Sequence, residues 1–184
     1  MSTDALSNVT SALTEFHRRY LDSHAHVNNA LPVIEADAEW PSPCEQGKAD
    51  DEYCYWKPVA CHGGLDFSGM EQALNITLHP DLKMFYTSFY SNNLTARCAD
   101  GDLELLQPWN KDDFERLQEN LIGHTMMKRK RHQPETFFIA ATDDDEIIIS
   151  VINETGEVWA ERVGQNPHRK LADSIADFIN TLDV

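Results

Sequence analysis

Positive charge is scarce in this chain of 184 residues: 15 Lys and Arg stand against 31 Asp and Glu, for a formal net charge of −16. A surface of that sign repels nucleic-acid phosphates and anionic lipid headgroups and attracts basic partners. Long apolar runs are also missing. The longest, residues 137–141 and 147–149, are strand-sized, far short of the roughly 20 residues that span a bilayer. Met1 to Asp4 form no basic n-region and no apolar core follows, so no signal peptide is expected and a cytoplasmic location is. Cysteine is limited to Cys44, Cys54, Cys61 and Cys98, in no CxxC pair and no regular ladder. Free thiols are the expectation.

Motifs that carry chemistry are missing as well. No GxGxxG, GxxxxGK, HExxH or GxSxG occurs, which removes the sequence basis for nucleotide, zinc-protease or serine-hydrolase chemistry. His62-Gly63-Gly64 resembles an oxyanion loop, but without a nucleophile elbow it reads as a turn. Asp22, His24 and His26 could ligate a metal, yet a polar helix exit explains them more simply. Asp143-Asp144-Asp145 lacks the spacing and the glycine of an EF-hand loop. No catalytic residue, metal or cofactor is assigned.

What is present is a folding sequence, 41% hydrophobic and 9% aromatic, of a length that suits one domain over residues 1–184. Leu6, Val9, Leu13, Phe16 and Tyr20 step by three and four, the mark of a helix with one apolar stripe. Residues 31–47 read as a loop holding Pro32, Pro41 and Pro43, and 53–59 as an aromatic strand. A short helix over 70–75 leads into a strand at 75–79, and Pro80 starts another helix running through Phe85 and Phe89. Residues 94–98 and 103–107 read as strands joined by Ala99-Asp100-Gly101-Asp102, a hairpin signal. A meander follows at 136–142, 146–152 and 157–163. Asn166 and Pro167 then predict the start of a last helix with Leu171, Ile175, Phe178 and Leu182 facing inward. Hairpin strands flanked by helices predict an α+β fold with a mainly antiparallel sheet.

Between the strand pair and the meander lies a predicted helix over 110–132, NKDDFERLQENLIGHTMMKRKRH. Asn110 caps it. Asp112 and Asp113 occupy its first turn and Lys128 to Arg131 its last, so the basic run reads as a helix-end feature matching the dipole and not as a nucleic-acid patch. Phe114, Leu117, Leu121 and His124 share its inner stripe, which makes His124 a hydrogen-bonded, half-buried residue. Gly123 beside it predicts a close neighbour. Asp112, Glu115 and Glu119 share an outer ridge, with Arg116 offsetting the like charges through Asp112.

Several local sequences resemble one family. They are Pro41-Ser42-Pro43-Cys44, Tyr55-Trp56-Lys57-Pro58, Phe85-Tyr86-Thr87, Leu105-Leu106-Gln107 and Trp109. Further along are Asp112-Asp113-Phe114, the block Gln118-Glu119-Asn120-Leu121-Ile122-Gly123-His124, FFIA at 137–140, Ile149-Ser150-Val151 and Gly156-Glu157-Val158. The chain so resembles the Syd family of bacterial SecY-interacting proteins over roughly residues 41–182. That resemblance implies a fold related to the SUKH superfamily. It also implies a non-enzymatic module whose acidic concave surface docks on basic cytoplasmic loops of the SecY translocon. The protein would then be peripheral on the cytoplasmic face of the inner membrane, held by its receptor and not by lipid, and would act in translocon quality control or regulation.

The acid-rich segments supply the candidate surface: Glu35, Asp37 and Glu39; Asp50, Asp51 and Glu52; Glu115 and Glu119; and Asp143, Asp144 and Asp145. The expectation is that a folded sheet brings them to a common rim. Trp40, Tyr55, Trp56 and Trp109 are aromatic candidates for the contact, each with core packing as its competing role. The runner-up reading is a SUKH-type immunity protein that neutralises a basic toxin, marked by a toxin gene next door. The third is a metal-dependent enzyme built on His24 and His26, which metal analysis would reveal.

Overall fold

The computed structural model describes residues 3–184, with side chains from Asn8 onward, so the side chain of Leu6 in the first stripe lies outside what is described. Helix α1 (Thr3–Asn28) buries Val9, Leu13, Phe16 and Tyr20, as the three-and-four stepping predicts. Two short helices, α2 (Ser68–Leu74) and α3 (Pro80–Thr87), precede the long α4 (Lys111–Lys130), and α5 (Ile175–Asn180) comes near the C-terminus. Among the described residues eleven strands form three antiparallel sheets, so the fold is α+β.

The largest sheet has six strands: β6 (Leu94–Cys98), β7 (Gly101–Leu105), β8 (Thr136–Thr142), β9 (Ile147–Ile152), β10 (Val158–Arg162) and β11 (Pro167–Ala172). They lie in sequence order, each beside the next, so every link is a hairpin or, between β7 and β8, the helix α4. Helix α4 lies against β8, with the ring of His124 edge-on to Phe138 at 5.5 Å. The register puts Ser150 opposite Phe138 and Glu161 opposite Ile148, on the same face. The other face carries Leu94, Leu105, Ala140, Ile149, Val151 and Val158, all in the core. Helix α5 sits on β11 and packs on α1 and α3.

Five elements differ from the expectation, among them the helix opened by Pro80, which stops at Thr87 so that Phe89 belongs to a strand. The segment 31–47 holds two strands, β1 (Val33–Glu35) and β2 (Glu45–Lys48), which flank β3 (Tyr53–Trp56) in a three-stranded sheet. Strands of three and four residues are too short to show an alternation. The aromatic strand expected through Val59 ends at Trp56, and Pro58 separates it from β4 (Val59–Ala60), which pairs with β5 (Phe89–Tyr90). Residues 75–79 form no strand: Asn75 takes the left-handed conformation (φ 54°) and ends α2. Pro167 opens β11 and not a helix, so Leu171 belongs to a strand. A proline lacks the N–H of a ladder position, and an edge strand tolerates that loss.

The basic run also proves more than a dipole match. Lys128 is fully buried; its Nζ lies 3.3 Å from Glu161 Oε2, itself fully buried, and donates to the Gln165 carbonyl at 2.7 Å. Thr136 Oγ1 donates to Glu161 Oε1 (3.0 Å), and His124 Nε2 stands 3.3 Å from the same oxygen. His124 is buried and partnered, as its stripe position predicts. Arg129 donates to Glu135 and to the Leu74 carbonyl, and Arg131 to the Gly164 carbonyl. Gly123, by contrast, has no close neighbour: an added Cβ would meet nothing within 4 Å.

Candidate binding groove

Three hydrogen bonds tie the loop after β1 to the start of α4 and shape a depression that gathers acids. The Ser42 hydroxyl donates to the Trp109 carbonyl at 2.5 Å, and Trp109 Nε1 donates to the Trp40 carbonyl at 3.1 Å. Asn110 Nδ2 donates to the Pro41 carbonyl at 2.9 Å while its Oδ1 caps α4 by accepting from the Asp113 N–H. The 40–43 loop is thus held against the start of α4, and a groove opens between them.

Its first part, about 650 Å³, runs from Glu35, Asp37 and Trp40 across Glu45 to Asn92, Asn93, Gln107 and Asp113. The second, about 520 Å³, continues from Asn93, Gln107 and Asp113 along Arg116, Leu117, Glu119 and Asn120 of α4. Three residues are common to both parts, so the two adjoin. Two of its carboxylates also do structural work. Asp113 Oδ2 accepts from the Trp109 N–H at 2.8 Å, and Glu45 accepts from the Ser42 N–H. Among the described residues, none of Glu35, Asp37, Glu45, Asp113 and Glu119 is in an ion pair, whereas Glu71, Asp100, Asp102, Glu135, Glu157 and Glu161 elsewhere all are. The one base in the groove is Arg116. Its guanidinium lies 4.5 Å from the centroid of the half-buried Trp40 ring, in place of the expected pairing with Asp112. On the floor, Gln107 Nε2 donates to the Phe85 and Leu106 carbonyls at 3.0 Å each, which leaves its buried Oε1 without a partner.

The sequence profile described as Syd protein (SUKH-2) matches residues 10–183. The chain belongs to the Syd family. A Protein Syd of Colwellia psychrerythraea is 47% identical to it, over 98% of this chain and 94% of that protein. One of Alteromonas mediterranea is 44% identical over 95% of each, and one of Pseudoalteromonas atlantica 40% identical over 96% of each. The Syd fold brings together only part of the acid singled out in the sequence. Glu35, Asp37 and Glu119 line the groove. Glu52 adjoins it, because its carbonyl accepts from the Ala36 N–H at 2.8 Å. Glu39, Asp50, Asp51 and Glu115 are exposed but do not line it; Asp50 closes the β2–β3 turn by accepting from the Glu52 and Tyr53 N–H groups.

Asp143, Asp144 and Asp145 do not join the common rim. Asp143 and Asp144 border a separate hollow with Asp100, Asp102, His168 and Arg169, over Leu103, Ile149 and Ala160 on the sheet face turned away from α4. The β8–β9 hairpin carries them there. Among the aromatic candidates, Trp56 is 1% and Trp109 7% exposed, rings edge-on at 6.2 Å, so both belong to the core. Tyr55 is half-buried on β3, and Trp40 and an edge of the largely buried Trp109 line the groove.

Sequence reasoning missed Gln107, Asn92, Asn93 and Asn120, since uncharged amides stand out in no pattern. Asp113, expected in the first turn of α4 for its match to the helix dipole, lines the groove as well. The thiols nearest the groove stay protonated: burial pushes Cys44 up to about 11, and burial with the Glu45 charge raises Cys54, so neither is a thiolate nucleophile. Asp22, His24 and His26 form no ligand set: among the described residues no group of three metal-ligating side chains converges, and His24 Nδ1 meets the Tyr20 carbonyl at 3.0 Å.

Proposed function

We propose that this Syd-family protein is a non-enzymatic docking module whose groove takes basic cytoplasmic loops of SecY, at the cytoplasmic face of the inner membrane. The observation that carries the reading is the groove's charge. Its carboxylates are in no ion pair among the described residues, and they line a concave surface beside the half-buried Trp40 ring. Low-dielectric walls lined by one sign of charge focus the field and concentrate counter-charged ligands. Cytoplasmic loops of membrane proteins are rich in Lys and Arg. The protein's own charge of −16 gains nothing from anionic lipid, and among the described residues no helix is long and apolar enough to cross a membrane. Membrane attachment then comes from a protein receptor, and regulation or quality control of the translocon follows from where it sits.

Flotation with anionic vesicles, with and without purified SecY, tests this. The protein should float with SecY vesicles alone at low salt and be released as salt rises. Equal flotation with both preparations, or none with SecY, would rule the reading out.

A further inference from the structure

The groove contains a sample of its own ligand chemistry. Arg116 is exposed, is the one base along the groove, and makes no ion pair among the described residues, although Asp112, Asp113 and Glu119 lie within one turn of it on α4. Its guanidinium is instead laid over the Trp40 ring. An arginine prefers that place because the planar, weakly hydrated guanidinium stacks on an indole face, which a compact and strongly hydrated ammonium does less well. The ring is held from behind: the Trp40 carbonyl accepts from Trp109 Nε1, and the following residues are tied to Trp109 and Asn110. Glu35, Asp37 and Glu45 line the same part of the groove as the ring. Gln107 lines it too, its amide fixed by donating to two carbonyls.

From these features we infer that the Trp40 face is a seat for one arginine side chain of the partner, and that Arg116 is a built-in competitor for it. The seat deepens the docking function proposed above and rests on it. A partner guanidinium displaces Arg116, stacks on Trp40, and gains the carboxylates that Arg116 leaves unpaired. A partner lysine gains the carboxylates but not the ring. Arg116 therefore weakens every basic ligand by its charge, and arginine ligands additionally by occupancy.

The test uses two synthetic peptides of equal length and charge, arginine alternating with glycine and lysine alternating with glycine. Each is titrated into the full chain by calorimetry. Arg116→Ala should tighten the arginine peptide by roughly three- to tenfold and the lysine peptide by less. Trp40→Leu, placed on the Arg116→Ala background, should remove the difference between the peptides, and an unchanged melting temperature shows that the loop still folds. Should Trp40→Leu unfold the loop, Trp40→Phe, with its weaker ring quadrupole, should shrink the difference in its place. Binding of both peptides with an equal gain in Arg116→Ala, or with a loss, would overturn the seat and leave the acidic groove standing. No binding of either peptide to any form would overturn both.

Discussion

Lys128 shows how far one residue's role can be hidden in a run. In the sequence it is the first of four bases at a helix end; in the structure it is a buried charge facing a buried charge 33 positions later. What decides between these is Glu161, which no pattern around Lys128 announces. A buried pair of this kind is expensive to break from one side, because the abandoned partner stays buried without its counter-charge. Lys128→Met should cost roughly 3–5 kcal/mol in urea unfolding. Adding Glu161→Gln keeps an acceptor for Thr136 and removes the stranded charge, so the double variant should recover part of that loss. A double variant no more stable than Lys128→Met would show that the Lys128 loss does not come from Glu161. His17 provides a second measurement. It is buried on α1 with its ring edge-on to Phe89 at 4.7 Å, and burial lowers its pKa from 6.5 to about 4. Above pH 6.5 it is neutral folded and unfolded and costs nothing. As pH falls from 6.5 toward 4 the unfolded chain takes up the proton first, so stability drops, by up to about 3 kcal/mol. The pH profile of His17→Leu should be flatter across that window; a parallel profile would place the acid sensitivity elsewhere.

Among the elements, the longer ones are legible by their period, and short α3 by the proline that opens it. Helices α1 and α4 and strands β6, β8, β9 and β10 could be located because their apolar residues repeat over five positions or more. The strands β1 and β2 were not legible. They are held by pairing to β3 and by the Trp109 and Asn110 staples, all long-range contacts. Strand β11 was misread because Asn-Pro is a helix-start signal that an edge strand can also accommodate. The groove suffered the same way: its acids were visible one by one, but the wall that presents Glu35 and Asp37 was read as plain loop. Asn110 joins the two sides, so it is the natural element-level probe. Its Oδ1 caps α4 and its Nδ2 holds Pro41. Asn110→Ala should cost roughly 2 kcal/mol, about half from the cap and half from the lost staple. Asn110→Asp should retain the cap while exposing residues 36–43 to limited proteolysis. Protection of that segment in both variants would show that the loop holds its place without Asn110.

For the whole molecule the question is whether −16 acts as a total or as a pattern. Glu35, Asp37 and Glu119 line the groove, whereas Asp143, Asp144 and Asp145 sit at the β8–β9 turn, beside a hollow on the other face of the sheet. Phe138 at the groove and Thr142 at that hollow are four residues apart on β8, roughly 13 Å at the rise of a strand. That already exceeds the roughly 8 Å over which exposed charges interact at physiological ionic strength. Neutralising either trio to its amides changes the net charge equally, so the two variants separate total from pattern. At low salt, where screening is weak, both should slow association with SecY vesicles. At physiological salt the Glu35, Asp37 and Glu119 trio should slow association several-fold, while the Asp143, Asp144 and Asp145 trio falls back to the wild-type rate. Dissociation should change less than association in both, because rim charges steer the encounter more than they hold the complex. Equal slowing by the two trios at physiological salt would mean that net charge alone guides the protein, and the groove would lose its special place.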